Sequence, residues 1–305
     1  MRAVVFEEFG GPEVLKVEDR PEPHAGPGQV RITVHAAGVN PFDFKVRRGW
    51  TRDFVDPVLP AIPGFEVAGV VDEAGDGAEF AVGDEVVGWS EGGAYAELAL
   101  GGNVARKPAG LSWEQAVSLP VAGETAQRVL DLLGVKSGET ILIHGAAGAV
   151  GSIAVQLAAA AGLTVIGTAS AANHDYLRSI GAVPVEYGDG LVERVRAAAP
   201  QGIDAAFDTA GKGGLPESIE LIGGSERIVT IADYAAAGEL GVQTSGGGGS
   251  REQIRAGLDA QLQAAADGKL TTRIAQTFPL ADAAKAQELS ESGHARGKII
   301  VLPQQ

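Results

Sequence analysis

Cysteine is absent from all 305 residues. That excludes disulfides, thiolate chemistry and every cysteine-ligated metal site, and it fits a reducing compartment. Positive charge is scarce as well: 24 Lys and Arg face 39 Asp and Glu, for a formal net charge of −15. Such a surface is set against nucleic acid and anionic membranes, so any anionic ligand must be held by local donors. No apolar run approaches the length of a membrane span, and Met1–Phe6 reads as a strand rather than a leader, so a cytoplasmic location is expected. The five histidines (His24, His35, His144, His174 and His294) are scattered without metal-site spacing. Aromatics make up only 5% of the chain, whereas glycine reaches 44 residues.

Small residues are concentrated most tellingly in Ile141-Leu142-Ile143-His144-Gly145-Ala146-Ala147-Gly148-Ala149-Val150-Gly151. A short apolar strand runs into a turn of glycines and alanines, and Ile153–Ala161 then reads as a helix. Ala146, Ala147, Gly148, Ala149, Val150 and Gly151 fit the dinucleotide fingerprint with alanine in the first glycine position. Residues this small let a backbone approach a pyrophosphate and leave the first helical N–H groups free to hold its charge. They also serve plain strand–helix packing, so context decides. A second strand, 163–168, follows at βαβ spacing. Further strands at 183–186, 203–208 and 227–231 alternate with helical patterns at 174–180, 191–199 and 214–222. The expected fold class is therefore α/β, with a doubly wound parallel sheet.

An NAD site usually places Asp or Glu about 20 residues past the fingerprint, on the ribose 2′-hydroxyl. Here Gly167-Thr168-Ala169-Ser170-Ala171-Ala172-Asn173-His174 holds no acid before Asp175. Ser170, Asn173 and His174 offer donors, and Arg178 adds a charge one turn later. A 2′-phosphate would be accepted there, so the expected cofactor is NADPH. Ser170 or Asn173 capping the next helix is the plainer role, and the two are compatible.

Residues 1 to about 110 read differently. Alternating β-type segments at 14–18, 29–36, 66–72, 85–88 and 94–100 are separated by Pro/Gly turns, suggesting a compact β-barrel-like domain. Ser112 is a candidate helix cap with Gln115 three residues on, and a helix over 121–133 leads into the nucleotide domain. After Ile231 come a short strand at 239–242 and the tract Thr244-Ser245-Gly246-Gly247-Gly248-Gly249-Ser250, which has the composition of a flexible linker. A helix at 251–267, a strand at 273–277, a helix at 281–292 and a strand at 298–302 close the chain. The last strands are expected to rejoin the first domain.

Five motifs in this order carry a resemblance: Gly38-Val39-Asn40-Pro41-Phe42-Asp43-Phe44-Lys45, Ile62-Pro63-Gly64-Phe65-Glu66-Val67-Ala68-Gly69, Val82-Gly83-Asp84-Glu85-Val86, Ala146–Gly151 and Gly297-Lys298-Ile299-Ile300-Val301. Over essentially its full length the chain resembles the medium-chain dehydrogenase/reductase superfamily, in its zinc-free quinone oxidoreductase (zeta-crystallin-like) branch. The resemblance implies a GroES-like β-barrel catalytic domain over 1–115, a Rossmann NADP-binding domain over 116–250, and a return over 251–305 that completes the first. It also implies a homodimer.

Zinc alcohol dehydrogenases of the superfamily have a cysteine ligand where this chain has Asn40 and a histidine ligand where it has Phe65. Phenylalanine cannot donate to a metal, so no metal site is expected. Without a Lewis acid to drive carbinol oxidation, hydride delivery to an electron-poor quinone or enone remains.

By position, the resemblance implies that Asn40 lies near nicotinamide and substrate, its plainer role being a turn residue before Pro41. Asp43 would orient neighbouring donors. Lys45 stands where this branch often has tyrosine; it could bond a developing oxyanion or be a solvated surface lysine. Thr125 would contact the cofactor near the nicotinamide, and Tyr187 would border the 2′-phosphate. Thr209, Ile231 and Ala232 would line ribose and nicotinamide through backbone groups at sheet ends. Trp50, Trp89, Tyr95 and Tyr234 could wall a flat pocket, with core packing as the alternative. Enoyl-thioester reductases have an acid tyrosine in a Gly-x-Tyr setting in this region, where Arg47-Arg48-Gly49-Trp50-Thr51 holds none and Trp50 cannot protonate an enolate. The expected activity is NADPH-dependent reduction of a small-molecule quinone or α,β-unsaturated carbonyl. An enoyl reductase tailoring a polyketide or other natural product, and a non-catalytic NADPH-binding protein, are the alternatives.

Overall fold

The structure, a computed structural model, describes residues 1–305. In chain order it runs β1 (Arg2–Val5), β2 (Lys16–Asp19), β3 (Val30–Val39), α1 (Pro41–Arg47), β4 (Glu66–Ala74), β5 (Glu85–Glu91), β6 (Leu98–Arg106), α2 (Trp113–Val117) and α3 (Pro120–Leu133). There follow β7 (Thr140–His144), α4 (Ala149–Ala160), β8 (Thr164–Thr168), α5 (His174–Ser179), β9 (Ala182–Val185), α6 (Leu191–Ala198) and β10 (Ala205–Asp208). Then come α7 (Leu215–Ile222), β11 (Ile228–Thr230), α8 (Tyr234–Leu240), β12 (Gln243–Thr244), α9 (Arg251–Ala266), β13 (Ile274–Pro279), α10 (Ala283–Ser292) and β14 (Lys298–Leu302). The chain divides into two units, Met1–Val121 with Arg251–Gln305, and Ala122–Ser250.

In the first unit a six-stranded sheet runs β13-β14-β3-β4-β5-β6, and β3 also pairs with β6, which closes β3 through β6 into a ring. Val30, Ile32 and Val34 alternate inward along β3 and meet Val67 and Val71 of β4, Val86 of β5 and Val104 of β6. A period of two buries one face and leaves the other wetter, the signature of an antiparallel strand. The C-terminal return completes this unit: β14 pairs antiparallel with β3, Ile300 opposite Gly38.

The second unit holds a six-stranded parallel sheet in the order β12-β11-β10-β7-β8-β9. That is the Rossmann order, reversing direction between β7 and β10, where α/β sheets bind ligands outside their strand ends. β7 is buried at every position, as a central parallel strand requires. Leu142, Ile166, Ala206 and Ile228 from four strands pack against Leu191 and Val195 of α6, Leu215 of α7 and Ala237 of α8.

Several elements differ from the sequence expectation. The segment Asn40–Lys45 was not expected to be helical, but α1 starts at Pro41. Asn40 is its N-cap and Asp43 completes a capping box, so Asn40 is not a simple turn residue. The expected strand at 94–100 begins only at Leu98; Ala96 makes a single bridge to Ala3. The expected strand at 239–242 is mostly the end of α8, capped by Asp233 and stopped by Gly241 at φ 66°, with strand only at Gln243–Thr244. The expected strand at 14–18 is displaced to Lys16–Asp19, because Pro12–Val14 forms a 3₁₀ turn with Pro at its start.

Candidate active site

In the second unit, Gly145 leaves β7 with φ 69°, a conformation glycine adopts without strain. Gly148 accepts the first helical bond of α4, from Ser152 N–H at 3.0 Å, so the N–H groups of Ala149, Val150 and Gly151 have no intrahelical acceptor. No side chain caps this end. A Cβ on Gly151 would lie 2.3 Å from the Gly145 carbonyl oxygen, which fixes how closely α4 sits on β7. Ala146 is fully buried, while Gly148, Ala149 and Val150 are partly open.

The same edge of the sheet gathers the other residues singled out in this unit. Thr209, past β10, donates from Oγ1 to His144 O at 2.7 Å. Ile231 N–H donates to Asp208 O at 3.1 Å and Ala232 N–H to Thr230 Oγ1 at 3.1 Å, so the chain leaving β11 is pinned beside it. Asp208 holds this corner: Oδ1 accepts from Ala210 and Gly211 N–H at 2.9 and 3.1 Å, and Oδ2 from Thr230 Oγ1 at 2.7 Å. His144, buried beneath and 2.8 Å from Ser218 Oγ, is kept below the usual histidine pKa by burial.

Past β8, Asn173 is buried and donates to Ser170 Oγ at 3.1 Å, leaving Ser170 half-buried at the strand end. His174 Nε2 lies 3.4 Å from Ala169 O. Asp175, the first acid, is exposed and paired to Arg178 at 2.6 Å, so Arg178 is already engaged. Tyr187 is exposed, on a loop whose Glu186, Gly188 and Asp189 carbonyls accept from Arg194. Thr125 is buried on α3, 3.4 Å from an Arg128 nitrogen; Arg128 also donates to Ser245, tying the glycine tract to the helix. Tyr234 is half-exposed at the start of α8.

In the first unit the centre is a buried polar network. Asn40 Nδ2 donates to Glu66 Oε2 at 2.7 Å, and Asn40 Oδ1 accepts from Lys298 Nζ at 2.8 Å. Lys298 also donates to Glu66, whose Oε1 accepts Val121 N–H at 2.7 Å. Glu66 is 0% and Lys298 2% exposed, so the two charges are held by each other, by Asn40 and, on Glu66, by the Val121 N–H. Asp43 Oδ2 accepts Asn40 N–H at 2.9 Å and Tyr95 O–H at 2.7 Å, while Oδ1 has no partner. Burial pushes the Asp43 carboxyl up to about 7 against the pull of those two donors, and burial likewise raises the Tyr95 phenol.

Lys45 is half-buried on α1, and burial lowers its ammonium pKa. Asp43 lies on the wall of a cavity of about 370 Å³, together with Phe6, Val55, Ile62 and Phe65. Trp50, Trp89, Tyr95 and Tyr234 do not line this cavity. Trp50 is 64% exposed, edge-on to Phe44; Trp89 is half-buried in β5; and Tyr95 is fully enclosed with its hydroxyl on Asp43. Glu66 and Lys298 stood inside quoted motifs without a role; 232 residues apart, they meet only when β14 joins β3.

This arrangement has relatives. The alcohol dehydrogenase GroES-like domain family matches residues 26–127, and the zinc-binding dehydrogenase family matches residues 180–301. The human quinone oxidoreductase is 33% identical over 99% of this chain and 98% of its own. The tomato (Solanum lycopersicum) 2-methylene-furan-3-one reductase is 33% identical over 99% of this chain and 79% of its own. The quinone oxidoreductase of Coxiella burnetii superposes with TM-score 0.87 at 33% identity, covering 99% of both chains. The Escherichia coli quinone oxidoreductase complexed with NADPH gives TM-score 0.89 at 26% identity, over 99% of this chain and 100% of its own.

The chain belongs to the quinone oxidoreductase branch of the medium-chain dehydrogenase/reductase superfamily. It is an oxidoreductase. Phe65 packs on Phe42 with ring centroids 5.1 Å apart, and both ends of the Asn40 amide are engaged by Glu66 and Lys298. No three His, Cys, Asp or Glu side chains gather where a metal ion could be held.

Proposed function

We propose that this oxidoreductase uses NADPH to reduce quinones or α,β-unsaturated carbonyls in a reaction that does not involve zinc. The observation that carries the reading is the uncapped start of α4 against the Gly145–Gly151 cradle, at the switch point of the parallel sheet. Three free N–H groups, a positive helix end and no side chain in the way suit a pyrophosphate. At the end of β8 the donors of Ser170 and His174, with Tyr187 on the neighbouring loop, suit a 2′-phosphate. Asp175, the first acid after β8, is occupied by Arg178. Those residues fit NADPH, and the structure of a related quinone oxidoreductase complexed with NADPH supports the choice.

When bound, the cofactor supplies hydride from its reduced nicotinamide. The rest is positioning by this chain. Gly148, Ala149, Val150 and Gly151 hold the phosphates, with Ala146 and Ala147 keeping the turn tight. Thr209, Ile231 and Ala232 offer backbone groups to the ribose and nicotinamide, and Thr125 a hydroxyl. Asn40, with its amide oriented by Glu66 and Lys298, presents its remaining N–H to the reacting groups, with Asp43 and Lys45 as the ionisable neighbours on α1.

Zinc is left out for a chemical reason: a catalytic zinc needs about three protein donors, and a phenylalanine and a doubly engaged amide supply none. An acceptor that is already electron-poor needs no Lewis acid to take hydride. A stronger preference for enones than quinones is the second reading, favoured by the 2-methylene-furan-3-one reductase relative.

The test is a panel of quinones, alkenals and enones, followed by loss of reduced-nicotinamide absorbance. Turnover with at least one class, a KM for NADPH about tenfold or more below that for NADH, and no response to a chelator are expected. Equal constants for the two nucleotides would remove the cofactor assignment, and no turnover with any member would remove the activity.

A further inference from the structure

The first unit holds a partly open, mostly apolar cavity whose wall carries three polar or charged side chains: Arg20, Asp43 and Ser90. Arg20 lies 4.0 Å from Glu18, and Ser90 Oγ donates to Gly64 O at 3.1 Å. Asp43 alone is both nearly enclosed, at 1% exposure, and left with an unpartnered atom, Oδ1. Its other oxygen is saturated, taking Asn40 N–H at 2.9 Å and Tyr95 O–H at 2.7 Å. A proton on this carboxyl therefore belongs on Oδ1, the one position with neither a donor nor an acceptor beside it.

We propose that this cavity is the acceptor site and that the neutral Asp43 carboxyl donates from Oδ1, first as a hydrogen bond and then as a proton, to the carbonyl oxygen of a flat, uncharged quinone or enone. The inference rests on the reductase reading above and adds to it a place and a proton donor. At about 370 Å³ the space lies in the range that small-molecule sites occupy, and it suits one or two fused rings. Phe6, Val46, Val55, Ile62 and Phe65 supply the apolar walls.

The step balances simply. A bound reduced nicotinamide would supply hydride, two electrons and one hydrogen, to a conjugated carbon, and the resulting charge would collect on the carbonyl oxygen. The Asp43 O–H bond breaks and an O–H bond forms at that oxygen. The carboxylate left behind is stabilised by the Tyr95 and Asn40 donors already on Oδ2, and a solvent proton restores the acid.

The charged neighbours are compatible with a neutral resting form. Glu66 on β4 disfavours the Asp43 anion, Lys298 on β14 favours it, and the Tyr95 hydroxyl favours it by hydrogen bonding. Burial outweighs them and sets the titration near neutrality, at about 7. Arg20, on the cavity wall, is not among the largest influences on it.

The probe is 1,4-naphthoquinone, for which this cysteine-free chain offers no thiol to arylate. Equilibrium dialysis against the cofactor-free protein, at pH 6 and pH 8, reads binding without turnover. Wild-type binding is expected about tenfold tighter at pH 6 than at pH 8. In Asp43→Asn, which keeps the acceptor on Tyr95 and Asn40, binding should become independent of pH. In Val55→Trp, which fills the cavity from a half-buried position, it should weaken about tenfold or more.

With NADPH added, Asp43→Asn should lose about a hundredfold in kcat with little change in KM. Wild-type binding that ignores pH, or Val55→Trp binding like wild type, would overturn the proposal. So would Asp43→Asn with an unchanged kcat and pH profile. Turnover that continues in Val55→Trp with naphthoquinone still bound would sink the site and leave the reductase reading intact. Binding that keeps its pH dependence while no acceptor consumes NADPH would uphold the site and sink that reading.

Discussion

Asp43 is a carboxyl held where its charge is expensive, and that has a measurable effect on folding. Its pKa, about 7 in the folded chain, exceeds the ordinary 3.8, so between those values the native state binds the extra proton. Stability from this group is full below about pH 4 and is lost as pH rises through 7. Wild type should lose about 3 kcal/mol more than Asp43→Asn between pH 5 and pH 8, read by urea unfolding. Equal slopes for the two would show that the carboxyl ionises freely. Glu66 and Lys298 make the opposite case, two charges buried as a pair. Lys298→Met removes the cation paired with Glu66, leaves its charge at 0% exposure with only the Asn40 and Val121 N–H donors, and should cost about 3–5 kcal/mol; adding Glu66→Gln should restore part of it. Strict additivity in that urea cycle would contradict the pairing. Asn40 and Asp43 could be picked out from the sequence because their motif is contiguous. Glu66, Lys298 and the Tyr95–Asp43 bond could not, because each joins residues far apart in the chain that only the tertiary fold brings together, which leaves no local pattern to find.

The β7–α4 junction was legible for the reason it works: tight turns demand small residues, and small residues in order are visible in a sequence. Gly151→Ala tests it, since its Cβ would meet the Gly145 carbonyl at 2.3 Å and push the helix start away from the strand. The variant should lose about 1–3 kcal/mol of stability by urea unfolding and about tenfold or more in NADPH affinity by calorimetric titration. Wild-type affinity in a destabilised variant would separate packing from phosphate binding. The alternation of strand and helix from 140 onward was equally plain, because each parallel strand is a short apolar run between amphipathic helices. Helix α1 was missed although Asn40, Pro41 and Asp43 form a capping box, since seven residues are too short for a hydrophobic period. At 239–242 the β-type reading failed because Ala235–Ala237 and the Asp233 cap favour helix up to Gly241. The segment 94–100 has strand composition, yet only a single bridge forms before Leu98.

The whole molecule is a Rossmann unit and a closed-strand unit completed by the chain's own C-terminal return, in a protein of net charge −15. An acidic surface does not attract an anionic cofactor from a distance, so the proposed site relies on the local N–H groups at α4 and the donors past β8. The chemistry proposed for the Asn40 region, hydride delivery to an acceptor that is already electron-poor, needs no metal donors there. Direct transfer of two electrons as hydride to such an acceptor is open to isotopic observation. NADPH carrying deuterium at the transferred position of its nicotinamide, reacted with an enone in the presence of a chelator, should place that deuterium on the β-carbon of the product at an undiminished rate. Product without the label, or activity that disappears with the chelator, would show that the electrons take another route or that a metal takes part.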